Sequence, residues 1–485
     1  MENMKKFEQL GLSFSSLKAI ERKGFEEPTE IQAKTIPLLL NSNKDIIAQA
    51  ETGTGKTAAF GLVFVEKIEP NKNYPQALVL APTRELAVQV SEEINSLKGD
   101  KKLSVVPIYG GQSIGFQIKQ LRQGVDIIVG TPGRVLDHLR NKKINLKNID
   151  YLVLDEADEM LNMGFIEDIE EILKFANTKR QTLLFSATMP KRIVSMAEKY
   201  MSKYQHIETR RQEVASGLVD QVYYEVYDRD KFEALCRIID IEKDFYGIIF
   251  CRTKVDVDYI NKHLNDRGYV SEALHGDIAQ PQRERILRNF KSKKTMLLVA
   301  TDVAARGIDV NNLTHVINFS LPNDPESYVH RIGRTGRAGK VGAAITFITP
   351  DEYRRLSFIK RITNTDIKKR KIPSVDRIIE MKKQRLSTEL KRIVESNNLK
   401  NYQQLADTIF SEDIDKNLAI AALLKLTFSR EFDFSNYRDV KEVQVGSQKS
   451  YQRKGRGRSP SSNKSQQRRN RRRRSDDRGS KSKKY

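Results

Sequence analysis

Ala50-Glu51-Thr52-Gly53-Thr54-Gly55-Lys56-Thr57 stands between a short apolar run, residues 45–48, and an amphipathic stretch, residues 57–67. The run predicts a β-strand and the stretch predicts an α-helix, which is the context that a phosphate-binding loop requires. Glycines let backbone N–H groups approach phosphate oxygens, and the helix N-terminus adds a partial positive charge. We expect Lys56 to reach the β- and γ-phosphates of a nucleotide and Thr57 to ligate Mg²⁺. Ala50 occupies the position where most such loops have their first glycine.

A pair of carboxylates closes a second apolar run. Asp155 and Glu156 follow residues 151–154, which predict a strand. A carboxylate at the carboxyl end of a strand, in a sheet that carries a phosphate-binding loop, is placed to hold Mg²⁺. Glu156 is placed to orient or deprotonate the attacking water. Together the two motifs predict hydrolysis of a nucleoside triphosphate.

Short apolar runs alternate with amphipathic stretches along most of the chain. Nearly continuous apolar strands are typical of parallel sheets covered on both faces, and strands that alternate with helices indicate repeated βαβ units. The polar residues 209–213 interrupt the pattern, which then resumes. The sequence therefore predicts an α/β protein with two tandem domains, residues 36–208 and 218–361, joined by a linker at 209–217. The predicted strands are 45–48, 77–80, 126–129, 151–154, 182–185, 247–250, 296–299, 315–318 and 344–347.

The chain changes character after Arg361, where we expect no further strand. Ser374 is a candidate N-cap, and apolar residues then recur at helical spacing from Val375 to Val394, with two shorter helical patterns beyond. The sequence predicts a small helical C-terminal module, residues 365–435. Such a module has a small core, so it either packs on the second domain or buries its apolar stripe against another copy of the chain.

The last 40 residues, 446–485, carry 16 Lys/Arg and 2 Asp, which is most of the chain's formal charge of +22. Their composition predicts a disordered basic tail that binds a polyanion such as RNA. Two cysteines exclude a disulfide framework. Since no apolar run approaches the roughly 20 residues of a membrane span, and the first thirty residues lack a signal-peptide pattern, we expect a cytoplasmic protein without a membrane partner.

The chain resembles the DEAD-box family of RNA helicases, which are built from two RecA-like domains. Asp155-Glu156-Ala157-Asp158 spells the family's name, and residues 24–32, with Phe7 upstream, resemble its Q motif. By this resemblance residues 1–35 form a Q-motif region in which Gln32 reads the adenine edge and Phe25 stacks on the ring. An amide side chain can pair with adenine N6 and N7 in this way. The resemblance covers roughly residues 5–350.

The resemblance implies a role for residues in both predicted domains. Its cofactors are ATP, bound along the loop from Ala50 to Thr57 and at Asp309 near the ribose, and Mg²⁺ on Thr57 and Asp155. It implies that Arg334 and Arg337 are arginine fingers, catalytic together with Lys56, Asp155 and Glu156. The implied RNA-binding residues are Pro82, Thr83, Arg84, Gly111, Thr131, Pro132, Gly133, Arg134, Arg252, Gln280, Arg283 and Thr301. Those implied to couple hydrolysis to unwinding are Asp158, Ser186, Thr188 and His330.

The layout of helical module and basic tail is similar to that of the CshA-like cold-shock helicases of Gram-positive bacteria. That resemblance implies roles in mRNA turnover, ribosome assembly and cold adaptation, with RNA-degradation or ribosome-assembly proteins as candidate partners and a homodimer as one option. The expected activity is RNA-stimulated ATP hydrolysis with local, non-processive unwinding of RNA. Two alternatives stay open, an ATP-gated RNA clamp without unwinding and a DNA helicase of the same superfamily.

Overall fold

The computed structural model describes residues 6–50, 53–209, 218–242, 244–308, 310, 313–336, 341–396, 399–409, 415–429, 432 and 437–440. Four residues of the predicted site, Glu51, Thr52, Asp309 and Arg337, lie outside these ranges. Most of the predicted linker and the whole basic tail lie outside them as well.

The first lobe is built on a seven-stranded sheet in the order β3-β4-β2-β5-β6-β1-β7. Each strand pairs in parallel with its neighbours. The strands are β1 Ile46–Gln49, β2 Ala77–Leu80, β3 Val105–Ile108, β4 Ile127–Gly130, β5 Tyr151–Leu154, β6 Gln181–Ser186 and β7 Gln205–Glu208. The helices are α1 Phe14–Arg22, α2 Glu30–Asn41, α3 Lys56–Lys67, α4 Arg84–Leu97, α5 Ile114–Arg122, α6 Pro132–Arg140, α7 Ala157–Asn162, α8 Ile166–Phe175 and α9 Lys191–Tyr200.

The second lobe repeats this design with a seven-stranded parallel sheet in the order β10-β11-β9-β12-β13-β8-β14. Its strands are β8 Val219–Glu225, β9 Gly247–Cys251, β10 Ser271–Leu274, β11 Leu297–Thr301, β12 His315–Asn318, β13 Gly342–Ile348 and β14 Lys368–Lys369. Its helices are α10 Lys231–Ile241, α11 Lys254–Asp266, α12 Gln280–Lys291, α13 Asp302–Ala305, α14 Pro325–Ile332 and α15 Tyr353–Thr363.

Helices cover both faces of each sheet, so each lobe has an apolar cluster on either side of its strands. In the first lobe, for example, Leu183 and Phe185 of β6 face one cluster and Leu184 faces the other. This double burial explains why the central strands are nearly continuous apolar runs. The prediction of two tandem RecA-like domains is confirmed, and both sheets belong to one compact unit.

One prediction about the second lobe is wrong, because the strands do not stop after Arg361. The chain forms α15, turns at Asn364 in a left-handed conformation, and adds β14 beside β8. Lys368 and Lys369 are both exposed, so this edge strand carries no apolar signal. The sheet of the second lobe therefore extends into the segment that the sequence pattern assigned to the helical module.

Three helices follow, α16 Val375–Glu395, α17 Lys400–Ile409 and α18 Lys416–Phe428. Ser374 caps α16 as predicted, accepting a hydrogen bond from the backbone N–H of Arg377. The first half of α16 packs on the second lobe, where Ile378 is fully buried and the Arg385 guanidinium donates to the carbonyl of Asp240 at 2.9 Å. The apolar side chains further along are exposed, for example Val394 at 61%. Among the described helices, none combines the length and apolar character needed to cross a membrane.

Candidate functional site

A cavity of about 870 Å³ opens between the lobes at the carboxyl edge of the first sheet. Parallel strands end at a common edge, so the loops after β1 and β5 meet there. The first lobe contributes most of the wall, and the second lobe closes it with Gly307, Ile308 and Arg334. The volume lies within the range of about 300–1,000 Å³ that is usual for small-molecule sites. The first-lobe residues that line it are Gly24, Phe25, Glu26, Glu27, Thr29, Gln32, Gly53, Gly55, Lys56, Thr57, Ala58, Leu86, Gln89, Glu93, Asp155 and Glu156.

The loop after β1 has the geometry of a phosphate cradle. Gly53 and Gly55 both have positive φ angles, 84° and 85°, and Gly55 is the N-cap of α3. Glycine adopts this conformation without strain. Lys56 begins α3 and is buried, and its Nζ donates to the carbonyl of Ala50 at 3.0 Å. The loop thus directs a helix N-terminus and a lysine at the cavity, while Thr54 continues the turn between the two glycines.

The carboxylates after β5 take the positions that the sequence suggested. Asp155 is buried, and its Oδ1 has no hydrogen-bond partner among the described residues. Burial raises the pKa of Asp155 to about 7, although the nearby Lys56 ammonium acts to lower it. A bound cation would remove this cost by pairing with the carboxylate. Thr57 lines the same cavity, so its hydroxyl and the Asp155 carboxylate offer the hard oxygen ligands that Mg²⁺ prefers, and the residues present fit the ion.

Glu156 and Gln32 occupy two further parts of the cavity wall. Glu156 is the N-cap of α7 and holds a left-handed φ of 53°, a conformation uncommon for a residue with a side chain. Gln32 is buried, with its Oε1 accepting from the backbone N–H of Thr29 at 3.0 Å and its Nε2 donating to the carbonyl of Gly55 at 3.1 Å. These bonds fix the amide of Gln32 beside the phosphate-binding loop. Phe25 lines the same part of the cavity.

Among the described residues of the second lobe, Arg334 is a cation that lines the cavity. It follows α14, and its Nη1 donates to the carbonyl of Ile308 at 2.8 Å. Arg331, one turn earlier, is buried and points elsewhere, since its guanidinium pairs with Asp302 and donates to Asn318. The two arginines therefore have different structural roles. Arg331 forms hydrogen bonds within the second lobe, and Arg334 lines the cavity.

The first-lobe RNA candidates gather on loops at the same sheet edge. Pro82 is buried beside Thr83, whose Oγ1 caps α4 by accepting from the N–H of Leu86 at 3.2 Å. Gly111 has a φ of 89°, a conformation that favours glycine, and it lies against the Arg84 guanidinium. Thr131 is the N-cap of α6, whose first residues are Pro132, Gly133 and Arg134. Arg134 donates to Gln117 Oε1 at 3.3 Å, which fastens α5 to α6.

The second-lobe RNA candidates split into two groups. Gln280 and Arg283 lie at the start of α12 and contact the first lobe, where Gln280 Oε1 accepts from Arg84 at 2.9 Å and Arg283 pairs with Glu85. Arg252 and Thr301 follow or end strands of the second sheet, and Arg252 lies 3.5 Å from a carboxylate oxygen of Glu352. The structure therefore brings three RNA candidates together across the two lobes, Arg84, Gln280 and Arg283.

Three of the four coupling candidates form one hydrogen-bonded cluster. Asp158 Oδ2 accepts from the backbone N–H of Thr188 at 2.8 Å and from its hydroxyl at 3.0 Å. Ser186 Oγ accepts from the N–H of Asp158 at 3.3 Å and donates to the carbonyl of Thr188. The fourth candidate, His330, instead pairs with Glu159 at 2.6 Å.

Glu159 is a residue that the sequence reasoning missed. It is buried, it follows the Asp155–Asp158 tetrad, and it pairs with two second-lobe cations, His330 and Arg306. Burial acts to lower the pKa of His330, but the hydrogen bond and charge of Glu159 outweigh it and raise that pKa. An isolated glutamate within a short helix gives no sequence signal of such a role, whereas Arg306 lies between Thr301 and Asp309, to which the resemblance assigns roles.

The family comparisons match both lobes. Residues 29–196 match the DEAD/DEAH box helicase family and residues 230–339 match the helicase conserved C-terminal domain. The DEAD-box ATP-dependent RNA helicase CshA of Geobacillus kaustophilus is 48% identical over 453 residues, 93% of this chain and 96% of its own length. That of Bacillus subtilis is 51% identical over 420 residues, 87% of this chain and 85% of its own length. The predicted resemblance to the CshA-like group is confirmed.

Solved structures agree with these relatives. Dbp5 of Saccharomyces cerevisiae bound to RNA and ADP BeF3 is 34% identical, with a TM-score of 0.70 over 78% of this chain and 99% of that chain. A point variant of the same yeast protein, bound to the same ligands, gives equal values. Sequence relatives over nearly the whole chain, matches to both helicase domains and a shared two-lobed fold lead to one assignment. This chain belongs to the DEAD-box family and is an ATP-dependent RNA helicase.

Proposed function

We propose that this chain couples RNA-stimulated ATP hydrolysis to short, local unwinding through a catalytic pocket completed by both lobes. The cavity between the lobes carries the proposal, because Lys56 and Glu156 line it from one side and Arg334 from the other. Arg337 joins Arg334 as a finger by family resemblance. When the lobes separate, the arginine leaves the pocket, so ATP bound to the first lobe alone is hydrolysed slowly.

Each part of the pocket has a separate task. By family resemblance, Gln32 and Phe25 hold the adenine, Asp309 holds the ribose, and the loop from Ala50 to Thr57 holds the phosphates. Thr57 and Asp155 would hold Mg²⁺, which would neutralise negative charge on the phosphates. Glu156 orients the attacking water and accepts its proton, and Arg334 stabilises the charge that develops on the γ-phosphate. Catalysis of this kind consists mostly of positioning and electrostatic stabilisation.

RNA favours the same closed arrangement. The hydrogen bond that Arg84 donates to Gln280 and the ion pair that Arg283 forms with Glu85 join the RNA-binding motifs of the two lobes. A strand that contacts both groups binds best when they are adjacent. Since RNA and ATP then stabilise one state, each raises the affinity for the other by the same factor. Contacts to the sugar–phosphate backbone position the strand with little sequence specificity.

Closure supplies a limited amount of work for unwinding. Moving a two-state equilibrium from 1:99 to 99:1 takes about 5.5 kcal/mol. If one base-pair step costs about 1.4 kcal/mol, as in DNA stacking, closure melts on the order of four steps. We therefore propose non-processive action on short RNA duplexes, with Asp158, Ser186 and Thr188 linking hydrolysis to this step.

We also propose that the C-terminal helices mediate a homodimer. Large apolar side chains stay exposed on α16 and α18, including Leu390 at 49%, Leu418 at 70% and Leu426 at 81%. Exposed apolar surface of this kind marks an interaction site. Light scattering at micromolar concentration should give the mass of a dimer, and a monomeric mass would refute this part of the proposal.

We also propose a physiological setting for this chain. Resemblance to CshA helicases supports a cytoplasmic protein that acts in mRNA turnover, ribosome assembly and cold adaptation, together with RNA-degradation or ribosome-assembly proteins. The basic residues 446–485 add RNA affinity without sequence specificity.

ATP turnover with matched RNA and DNA oligonucleotides tests the central proposal. We expect stimulation by RNA and little by DNA, and strand release from a short RNA duplex in the same reaction. Equal stimulation of ATP turnover by DNA would favour the alternative that this chain is a DNA helicase. RNA binding that requires ATP but occurs without stimulated turnover would favour the clamp.

A further inference from the structure

Glu159 is the point at which one first-lobe carboxylate meets two cations of the second lobe. Its Oε2 lies 2.6 Å from Arg306 Nε, and its Oε1 lies 2.6 Å from His330 Nδ1. The Glu159 side chain is only 4% exposed, and those of Arg306 and His330 are 17% and 21% exposed. An ion pair sheltered from water in this way is screened much less than a surface pair.

Both partners of Glu159 lie on segments that position Arg334. His330 lies on α14, and the chain reaches Arg334 just after this helix ends. Arg306 precedes Gly307 and Ile308, and the carbonyl of Ile308 accepts the hydrogen bond from Arg334 Nη1. The two segments that set the position of Arg334 are therefore each held to the first lobe by the same carboxylate.

The segment that Arg306 begins lies directly against the first lobe. A Cβ at Gly307 would overlap Thr83 Oγ1, so this backbone approaches α4 more closely than any other residue would allow. Gly307 and Ile308 then form part of the cavity wall. Pairing of Glu159 with Arg306 thus holds a segment that contacts both the nucleotide cavity and a residue of the RNA-binding motif.

We propose that Glu159 is a latch, a positioning residue that stabilises the closed form and sets Arg334 in the cavity through Arg306 and His330. The proposal rests on the proposed function, in which lobe closure completes the catalytic pocket. Asp158 serves a different purpose, because its carboxylate is engaged by Thr188 within the first lobe. Among the described residues, Glu159 is not part of the cavity lining, so it acts through the two second-lobe cations.

A latch of this kind affects closure rather than folding. Its partners belong to different lobes, so opening returns all three charged groups to water and leaves each lobe's core intact. In the closed form, loss of the carboxylate charge leaves Arg306 and His330 enclosed without their partner, which is costly. Coupling between two ligands of a protein is commonly worth a factor of about 5–150. We expect a variant without the carboxylate charge at position 159 to show coupling between ATP and RNA that is weaker by a factor on the order of ten.

Glu159→Gln tests the latch, with Glu171→Gln as the matched control. Glu171 is a first-lobe glutamate that pairs with Arg140 of the same lobe. Its substitution therefore removes an ion pair without changing a contact between the lobes. For E159Q we expect the RNA concentration at half-maximal ATPase rate to rise about tenfold. Nucleotide affinity without RNA, measured by fluorescence titration, and the melting temperature should match those of wild type. E171Q should match wild type in all three.

Closure itself is measured by energy transfer between dyes on cysteines introduced at Lys143 and Lys291, since both native cysteines are buried. With RNA and a non-hydrolysable ATP analogue, we expect the closed fraction of E159Q to fall, and that of R306Q to fall as well. The double variant should be no worse than the more affected single variant, because both remove the same pair.

An unchanged RNA requirement and closed fraction in E159Q would overturn the latch. So would an equal loss of nucleotide affinity without RNA, or strictly additive effects of E159Q and R306Q. If the wild-type chain itself lacks RNA-stimulated turnover, the proposed function fails, whereas the energy-transfer measurement still decides whether Glu159 holds the lobes together.

Discussion

Replacing Arg334 by alanine is the most direct test of the two-sided pocket. Arg334 lines the cavity from the second lobe, with its Nη1 held by the carbonyl of Ile308 at 2.8 Å. Lys56, Asp155 and Glu156 line the same cavity from the first lobe. On the proposed mechanism, the substitution therefore removes a cation that faces the γ-phosphate and changes no first-lobe residue of the cavity.

The size of the effect follows from the task assigned to Arg334. An arginine finger is worth about 10³–10⁵ in rate. At about 1.4 kcal/mol per tenfold, this corresponds to a barrier higher by roughly 4–7 kcal/mol. We expect kcat of R334A at saturating ATP and RNA to fall by at least about a thousandfold. R334K should recover part of this loss, because lysine keeps the charge but lacks the planar, two-pronged guanidinium.

Steady-state ATPase assays measure kcat, and equilibrium titration with a fluorescent nucleotide measures nucleotide affinity without RNA. We expect R334A to change this affinity less than about twofold, because most of the nucleotide cavity belongs to the first lobe. R354A is the control, since Arg354 is an exposed arginine of α15 in the same lobe. R331A is unsuitable as a control, because Arg331 is buried on Asp302 and its loss should destabilise the second lobe. A kcat for R334A within about tenfold of wild type would refute the assignment of Arg334 as the finger.

Three further predictions concern unwinding, pH and the tail. Strand release should fall steeply once a blunt RNA duplex greatly exceeds the roughly four base-pair steps that one closure can melt, and single-binding release of duplexes several turns long would contradict the energetic argument. Burial acts to lower the pKa of His330, but Glu159, Asp158 and Glu156 outweigh it and raise that pKa in the closed form. Glu326, on the same helix, also interacts with His330. Protonated His330 therefore stabilises the closed form, and this contribution is fully present below the ordinary pKa of histidine and is lost as pH rises through the raised one. RNA affinity with an ATP analogue should therefore weaken with rising pH in wild type more than in H330N, and parallel profiles would count against a charged His330. Deleting residues 446–485 should weaken RNA binding and flatten its salt dependence with ATP binding intact, and an unchanged salt slope would exclude the tail from RNA binding.

Sequence patterns predicted nine of the ten interior strands of the two sheets and missed the interior strand β8 and all the edge strands. β2, β5 and β12 begin and end where the apolar runs do, because these strands are covered on both faces. The four edge strands, β3, β7, β10 and β14, were not predicted. They are partly or wholly exposed, and β3 even contains Pro107, which an edge strand tolerates. A strand with one open side needs no apolar run, so its sequence carries little of the signal that identifies the interior.

The candidate site divides in the same way. Gly55, Lys56 and Asp155 were found because phosphate and cation chemistry demands particular residues at fixed positions next to a strand. Glu159 was missed because its role depends on which residues of another lobe come near it, and no local pattern encodes that distance. Resemblance placed His330 with Asp158, Ser186 and Thr188, whereas the structure gives it Glu159 as its partner.

The need to release RNA limits how strong the contacts between the two lobes can be. On the proposed mechanism, Arg84, Arg283 and Glu159 stabilise the same closed state that ATP and RNA stabilise. Hydrolysis removes the attraction between Arg334 and the γ-phosphate, and RNA is released only if the remaining contacts are too weak to keep the lobes together. Since about 5.5 kcal/mol separates a mostly open from a mostly closed population, a few added ion pairs would be enough to hold the product state closed. Stronger cross-lobe pairing would thus tighten RNA binding and slow turnover, so buried pairs such as the one at Glu159 must be balanced against release.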